Sequence, residues 1–292
     1  MRLILALLAV VAMCGVARPA KADEIVLDAA NDAPIVHIQV NGQPATMIVD
    51  PRLAGLATFS PAATARLHLF RVPMVSAQVV LDGERALRGG IARPEIRFEN
   101  GERRRVMSGL FGAAPAPGVD GVIGPGALPY DVVRIRLREG PAAANAHVIA
   151  LANAGDWSWS DHIGDAAVHA SIDLGQEQSL AARRLTMSAV RDGLFTPRGE
   201  TARARFLLGI DLQVQAMTPA PSLSLHGLPL GPLSGHTNET LYPPEQMDGE
   251  IVVTAPGPNR RPPFLFLGRG ALAGCSDIVE ERVARRLTVH CD

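Results

Sequence analysis

Three short segments recur in the same order in the two halves of this chain, and a duplication of that kind restricts the fold more than any other feature. The first half carries Val49-Asp50, then Ser60-Pro61-Ala62-Ala63-Thr64-Ala65-Arg66-Leu67, then Val122-Ile123-Gly124-Pro125-Gly126-Ala127-Leu128. The second carries Ile172-Asp173, then Ser179-Leu180-Ala181-Ala182-Arg183-Arg184-Leu185, then Phe266-Leu267-Gly268-Arg269-Gly270-Ala271-Leu272. Each half reads as a strand ending in Asp, a Ser-led helix with Arg-Leu, a long β region, and a hydrophobic-hydrophobic-Gly-x-Gly-Ala-Leu segment before a closing strand. One shared element is easily coincidence. Three in one order predict two lobes, 23–140 and 166–292, with 141–165 as a linker.

The pattern between these landmarks is mostly strand. Ile35 to Val40 alternates, Asn41-Gly42 is a hairpin turn, and Ala45 to Val49 resumes extended. Short apolar runs bounded by turn residues recur at 77–81, 95–98, 132–137, 168–172, 204–208, 212–216, 251–254, 264–267 and 287–290. The helix signals are few, the best at 60–67 and 180–190, each with Ser near its start. The 28 Gly and 23 Pro fit many short strands joined by tight turns, including loops at 113–118 and 256–263. The chain is expected to be all-β with few short helices. With 28 basic and 29 acidic residues its formal charge is -1, which excludes a bulk attraction for nucleic acid or anionic lipid.

Arg2, the apolar run Leu3 to Val11 and Ala20-Lys21-Ala22 form an export signal over residues 1–22, too short in its apolar centre to span a bilayer. A mature start near Asp23 and a periplasmic or secreted location follow. Cys14 is a poor lipid-attachment site, because Met13 stands where a small residue is wanted. Nothing later is apolar enough over a sufficient length for a membrane helix. Removing the signal leaves Cys275 and Cys291, an even pair that reads as a disulfide in an exported protein. The sequon Asn238-Glu239-Thr240 matters only where exported proteins are glycosylated.

The run from Ile35 to Asp50, with its Asn-Gly turn, resembles the opening of a retropepsin-like or pepsin-like aspartic protease lobe. Asp120-Gly121-Val122-Ile123-Gly124, followed by Leu128 and Val132 to Leu137, is similar to that family's hydrophobic-hydrophobic-Gly segment. The likeness covers residues 33–138 well and 166–292 more loosely. It implies two β-barrel lobes, each delivering one Asp to a shared cleft, so that Asp50 and Asp173 are the candidate catalytic pair. Two carboxylates about 3 Å apart cannot both ionise, so one holds a proton and the other activates water. The resemblance also implies a Thr and a Gly after each Asp, and neither turn keeps both. The first reads Asp50-Pro51-Arg52, losing the hydroxyl and an N–H, and placing a cation and a Cβ where Gly is wanted. The second reads Asp173-Leu174-Gly175, keeping only the Gly. An Arg beside Asp50 would spoil the shared-proton state.

Other constellations are weaker. The histidines at 37, 68, 147, 162, 169, 226, 236 and 290 lack metal-site spacing, and neither a metal nor a cofactor is expected. Trp157 and Trp159 line a pocket or, more simply, pack the linker onto a lobe. Arg103-Arg104-Arg105 is a solvated hairpin or a basic form of the family's flap. Glu250 to Ala255 resembles the extended segment by which outer-membrane receptors engage the TonB protein, and reads more simply as an ordinary lobe-two strand before a Pro loop. Two function classes stay open. One is a pseudoprotease whose cleft, with Pro51, Arg52, Leu174, Gly175, Gly124 and Gly268 around the aspartates, holds an extended peptide or protein segment without cutting it. The other is an active aspartic endopeptidase. A monomer is expected in either case.

Overall fold

The computed structural model describes residues 23–81, 84–111, 115–237, 251–253 and 262–292. The export segment with Cys14, the sequon at Asn238 and most of the 256–263 loop lie outside the described residues. Half of the chain is strand, with α-helices at Pro61–Arg66 and Arg183–Arg191, so the all-β class holds. Among the described residues no helix is long and apolar enough to cross a membrane.

Local chemistry sets the first hairpin. Along Ile35–Val40 the residues Val36, Ile38 and Val40 face the core while Ile35, His37 and Gln39 face out. Val40 pairs with Gln43, leaving Asn41-Gly42 as a two-residue turn with φ of 50° and 81°, the left-handed pair that Asn-Gly adopts most readily. The return strand Gln43–Val49 buries Ala45, Met47 and Val49 and delivers Asp50 to the interior.

The duplication is one of strand topology. In the first half Gln43–Val49 runs parallel to Gly121–Ile123, which runs antiparallel to Ala57–Phe59. In the second half Ala166–Asp173, Phe264–Gly268 and Ser179–Ala181 repeat that arrangement. Backbone bonds repeat as well: Gly126 N–H donates to Ala54 O at 2.9 Å, and Gly270 N–H to Glu177 O at 2.8 Å. Both acceptors lie at the same distance along the chain from their Asp.

One element of the repeat is shifted against its sequence reading. Ser60 caps its helix, accepting from Ala63 N–H at 3.2 Å. Ser179 does not cap anything; it lies inside a strand, donates to Leu230 O at 2.6 Å and accepts from Gly268 N–H at 3.0 Å. The second helix begins at Arg183 behind Ala182, which has no side-chain cap. The helix expected over 180–190 thus starts three residues later.

The lobes are open sheets, not the expected barrels. The first is a ten-stranded sheet ending at Arg103–Arg105 and Ile251–Val253, and the second a seven-stranded sheet ending at Ser158–Ile163 and Phe195–Arg205. Closure needs tilted strands long enough to bring the edges together, and many of these strands, such as Ala57–Phe59 and Glu95–Arg97, have three residues. Arg103–Arg105 forms an exposed hairpin with Glu95–Arg97, the solvated form of the two expected.

A five-stranded sheet joins the halves. Val132–Arg136 and Cys275–Glu281, the closing strand of each repeat, pair antiparallel at its centre, flanked by Glu24–Asp28 on one side and by Arg286–Cys291 and Asn145–Ala150 on the other. The stretch 141–165 is therefore not a bare linker: it adds Asn145–Ala150 here and Ser158–Ile163 to the second lobe. Both are edge strands, so they needed no strong apolar pattern of their own. Trp157 and Trp159 are buried, and Trp157 Nε1 donates to Glu280 Oε2 at 2.9 Å. Cys275 and Cys291 sit opposite each other and are joined as a disulfide across a sequence separation of 16.

Candidate functional site

The site begins where the two Asp-ending strands stop. Asp50 N–H donates to Ile123 O at 2.9 Å, which fixes the strand end against Gly121–Ile123. A single 3-10 turn, Pro51–Leu53, follows. Pro51 occupies its first position, where a missing N–H costs nothing and a fixed φ helps, so the lost donor is harmless. Arg52 has no positive φ. That conformation falls on Ala54, at φ 46° and ψ -116°.

Glycine behind the turn is obligatory. A Cβ on Gly124 would lie 1.8 Å from Ala54 O. At the matching position of the second half, a Cβ on Gly268 would lie 2.5 Å from the Gln178 backbone. These glycines are the packing surface of the two Asp turns, and no ligand role is needed to explain them.

Arg52 ties the two aspartates together. Its Nε and Nη2 fork onto Asp50, at 2.9 Å to Oδ1 and 2.6 Å to Oδ2, and its Nη1 donates to Asp173 Oδ2 across the lobes. The Asp50 Oδ1 also accepts from Arg52 N–H at 2.9 Å, while Asp173 Oδ1 accepts from Gly175 N–H at 2.9 Å. The Arg52 side chain is 5% exposed and the Asp173 side chain 1%. Leu174 is buried beside them. Thus Asp50, Arg52, Asp173, Leu174 and Gly175 come together, but around a guanidinium rather than as a directly facing carboxylate pair.

An aromatic wall lies over this cluster, and no local pattern in the chain announces it. The Arg52 guanidinium lies 4.7 Å from the centre of the Phe206 ring and 5.9 Å from that of Phe266, with Phe264 stacked on Phe266 at 4.6 Å. Phe264 and Phe266 are two apart on one strand and share a face. Leu87, from the hairpin Val75–Leu81/Glu84–Ala92 of the first lobe, packs onto this cluster with Leu180, Ile210, Leu212 and Val214.

With both carboxylates ionised the cluster holds one net negative charge out of water. Burial, and then the neighbouring Asp50 charge, push Asp173 up to about 6, although Arg52 and the Gly175 N–H pull the other way. Burial alone would weaken the charge on Arg52, but the two carboxylates outweigh it and hold its pKa above the ordinary value. Among the described residues no group of three or more His, Cys, Asp or Glu side chains is placed to hold a metal ion. Chemically the arrangement is a closed ion-pair clamp between lobes. No family model matches the chain, and no curated protein matches it either.

Two outcomes follow from this geometry. Ala54 holds the φ-positive conformation of a type II′ turn position, which Gly adopts without strain. Ala54→Gly should therefore stabilise the protein by about 1 kcal/mol in urea unfolding; a loss of stability would contradict the strain at Ala54. The Asp173 value of about 6 exceeds the 3.8 of the unfolded chain, so between these the folded state binds the extra proton. The contribution of this group is then most favourable below 3.8, and falls as pH rises to about 6, by on the order of 3 kcal/mol. Asp173→Asn should gain stability relative to wild type as pH rises through that window; parallel pH curves in urea unfolding would refute the assignment.

Proposed function

We propose that this is an exported protein of aspartic-protease architecture whose carboxylate pair has become a structural lock, and that it binds an extended peptide or protein segment without cleaving it. The observation that carries this reading is Arg52. Peptide hydrolysis needs one carboxylate to hold a proton and the other to hold water, both reaching the scissile bond. Here Arg52 stands between Asp50 and Asp173 and pairs with both. Removing a buried guanidinium to admit substrate would leave two uncompensated buried carboxylates, a cost of several kcal/mol.

The architecture supports the family side of the reading. Two copies of one strand arrangement each end in an Asp, each with a Gly segment behind the turn, and both feed a shared sheet. The near-neutral charge of -1 suits a partner recognised by backbone pairing and apolar side chains rather than by charge. Export rests on the amino-terminal signal, and the Cys275–Cys291 disulfide is compatible with an oxidising compartment.

Digestion of a peptide library from acid to neutral pH by wild type, Asp50→Asn and Asp173→Asn tests this directly. The expected result is no cleavage by any of the three, by mass spectrometry. Cleavage by wild type that either substitution abolishes would establish the active endopeptidase instead.

A further inference from the structure

The ten-stranded sheet has an edge strand that does not belong to it by chain position. Ile251–Val253 lies in sequence between Leu233–His236 and Phe264–Gly268, both strands of the second lobe. It nevertheless pairs in parallel with Val75–Leu81 of the first lobe, Ile251 opposite Val75, Val252 opposite Ser76 and Val253 opposite Ala77. The expectation of a lobe-two strand here is thus corrected. Ile-Val-Val is a fully β-branched segment, the type that adds best to a sheet edge. It is set in sequence between Pro243-Pro244 and Pro256-Gly257-Pro258, and three residues of pairing give it little hold.

The receiving strand carries features that a docked segment would use. Immediately before it, Phe70, Val72 and Met74 are 85%, 38% and 68% exposed, an apolar lip in front of the edge. Met74 takes a φ of 59°, which sets it apart from the strand it precedes. Within the strand, Ser76 Oγ and Gln78 Oε1 are buried without a hydrogen-bond partner among the described residues, and residues two apart share a face. In an added copy of the segment in the same register, the Thr that follows Val253 in sequence comes opposite Gln78 and brings a hydroxyl.

We infer that the outer edge of Val75–Leu81, with its apolar lip, is a docking edge for an extended β-branched segment of another polypeptide added in parallel, and that Ile251–Val253 is its exchangeable in-chain occupant. Strand addition supplies affinity through the main chain, and the lip and Gln78 supply selectivity. An in-chain occupant lowers the apparent affinity for an outside segment by the fraction of time it holds the edge. This inference rests on the peptide-binding reading but uses a place apart from the Arg52 cluster.

The test uses a fluorescein-labelled peptide, Gly-Glu-Ile-Val-Val-Thr-Ala, and fluorescence anisotropy with the full chain. A variant with Ile251, Val252 and Val253 all changed to Gly should bind it at least about tenfold more tightly than wild type. The single change Val252→Pro, which removes one N–H from the occupant, should shift affinity the same way. Adding Gln78→Ala or Met74→Asp to the Gly variant should weaken binding at least about threefold. Equal binding to wild type and Gly variant, or none to a Gly variant with wild-type circular dichroism, would overturn the docking edge. Mass analysis of the bound peptide separates the two readings: a bound but cleaved peptide contradicts the non-cleaving function and leaves the docking edge standing.

Discussion

Three charges sealed between two lobes organise this molecule. Arg52 forks onto the Asp of its own turn and reaches across to the Asp of the other, so one guanidinium satisfies both strand ends. Buried ion pairs add little net stability, because desolvation offsets attraction, yet breaking one by removing a partner is costly. The clamp therefore acts as a constraint on geometry more than as a source of energy. It fixes where the two repeats meet, and the rings of Phe206 and Phe266 pack over its guanidinium. A cation over aromatic faces in such a site gains about 1–2 kcal/mol more.

The rest of the architecture serves that meeting point. Each Asp is held by the same parallel pairing, and each turn is backed by a residue that can only be Gly. The shared five-stranded sheet then fixes the repeats to one another, helped by Glu280, which is fully buried and accepts from Trp157 Nε1 and Gly155 N–H. Arg282 beside it donates to the carbonyls of Pro125 and Leu128 in the first half. Arg52 at the Asp turns and the part-buried Arg282 behind the Gly segment thus both reach across between the halves.

Much of this was legible in the sequence where the signal is local. The Asn41-Gly42 turn, the Asp-ending strands, the Gly-x-Gly segments and the Cys275–Cys291 pairing each depend on a few adjacent residues or on arithmetic. Non-local facts were hidden. Asn145–Ala150 is a strand only because Arg286–Cys291 lies beside it. Phe195–Arg205 is solvated along most of its length, so it shows no alternation. The resemblance wants Gly at the position of Arg52, but the positive φ of this turn falls on Ala54. That Arg52 would lie beside Asp50 followed from its position in the turn; that it also reaches Asp173, and that an aromatic wall covers it, depends on segments far apart in the chain.

The central claim is that Arg52 is a structural counter-ion for two buried carboxylates, and urea unfolding of Arg52→Gln and Arg52→Gln/Asp173→Asn at neutral pH tests it most directly. The single change should cost about 3–5 kcal/mol, since it leaves two buried carboxylates without their cation. Adding Asp173→Asn removes one of those charges and should restore at least about half of the loss. A single change that costs under about 1 kcal/mol, or a second change that restores nothing, would contradict the account.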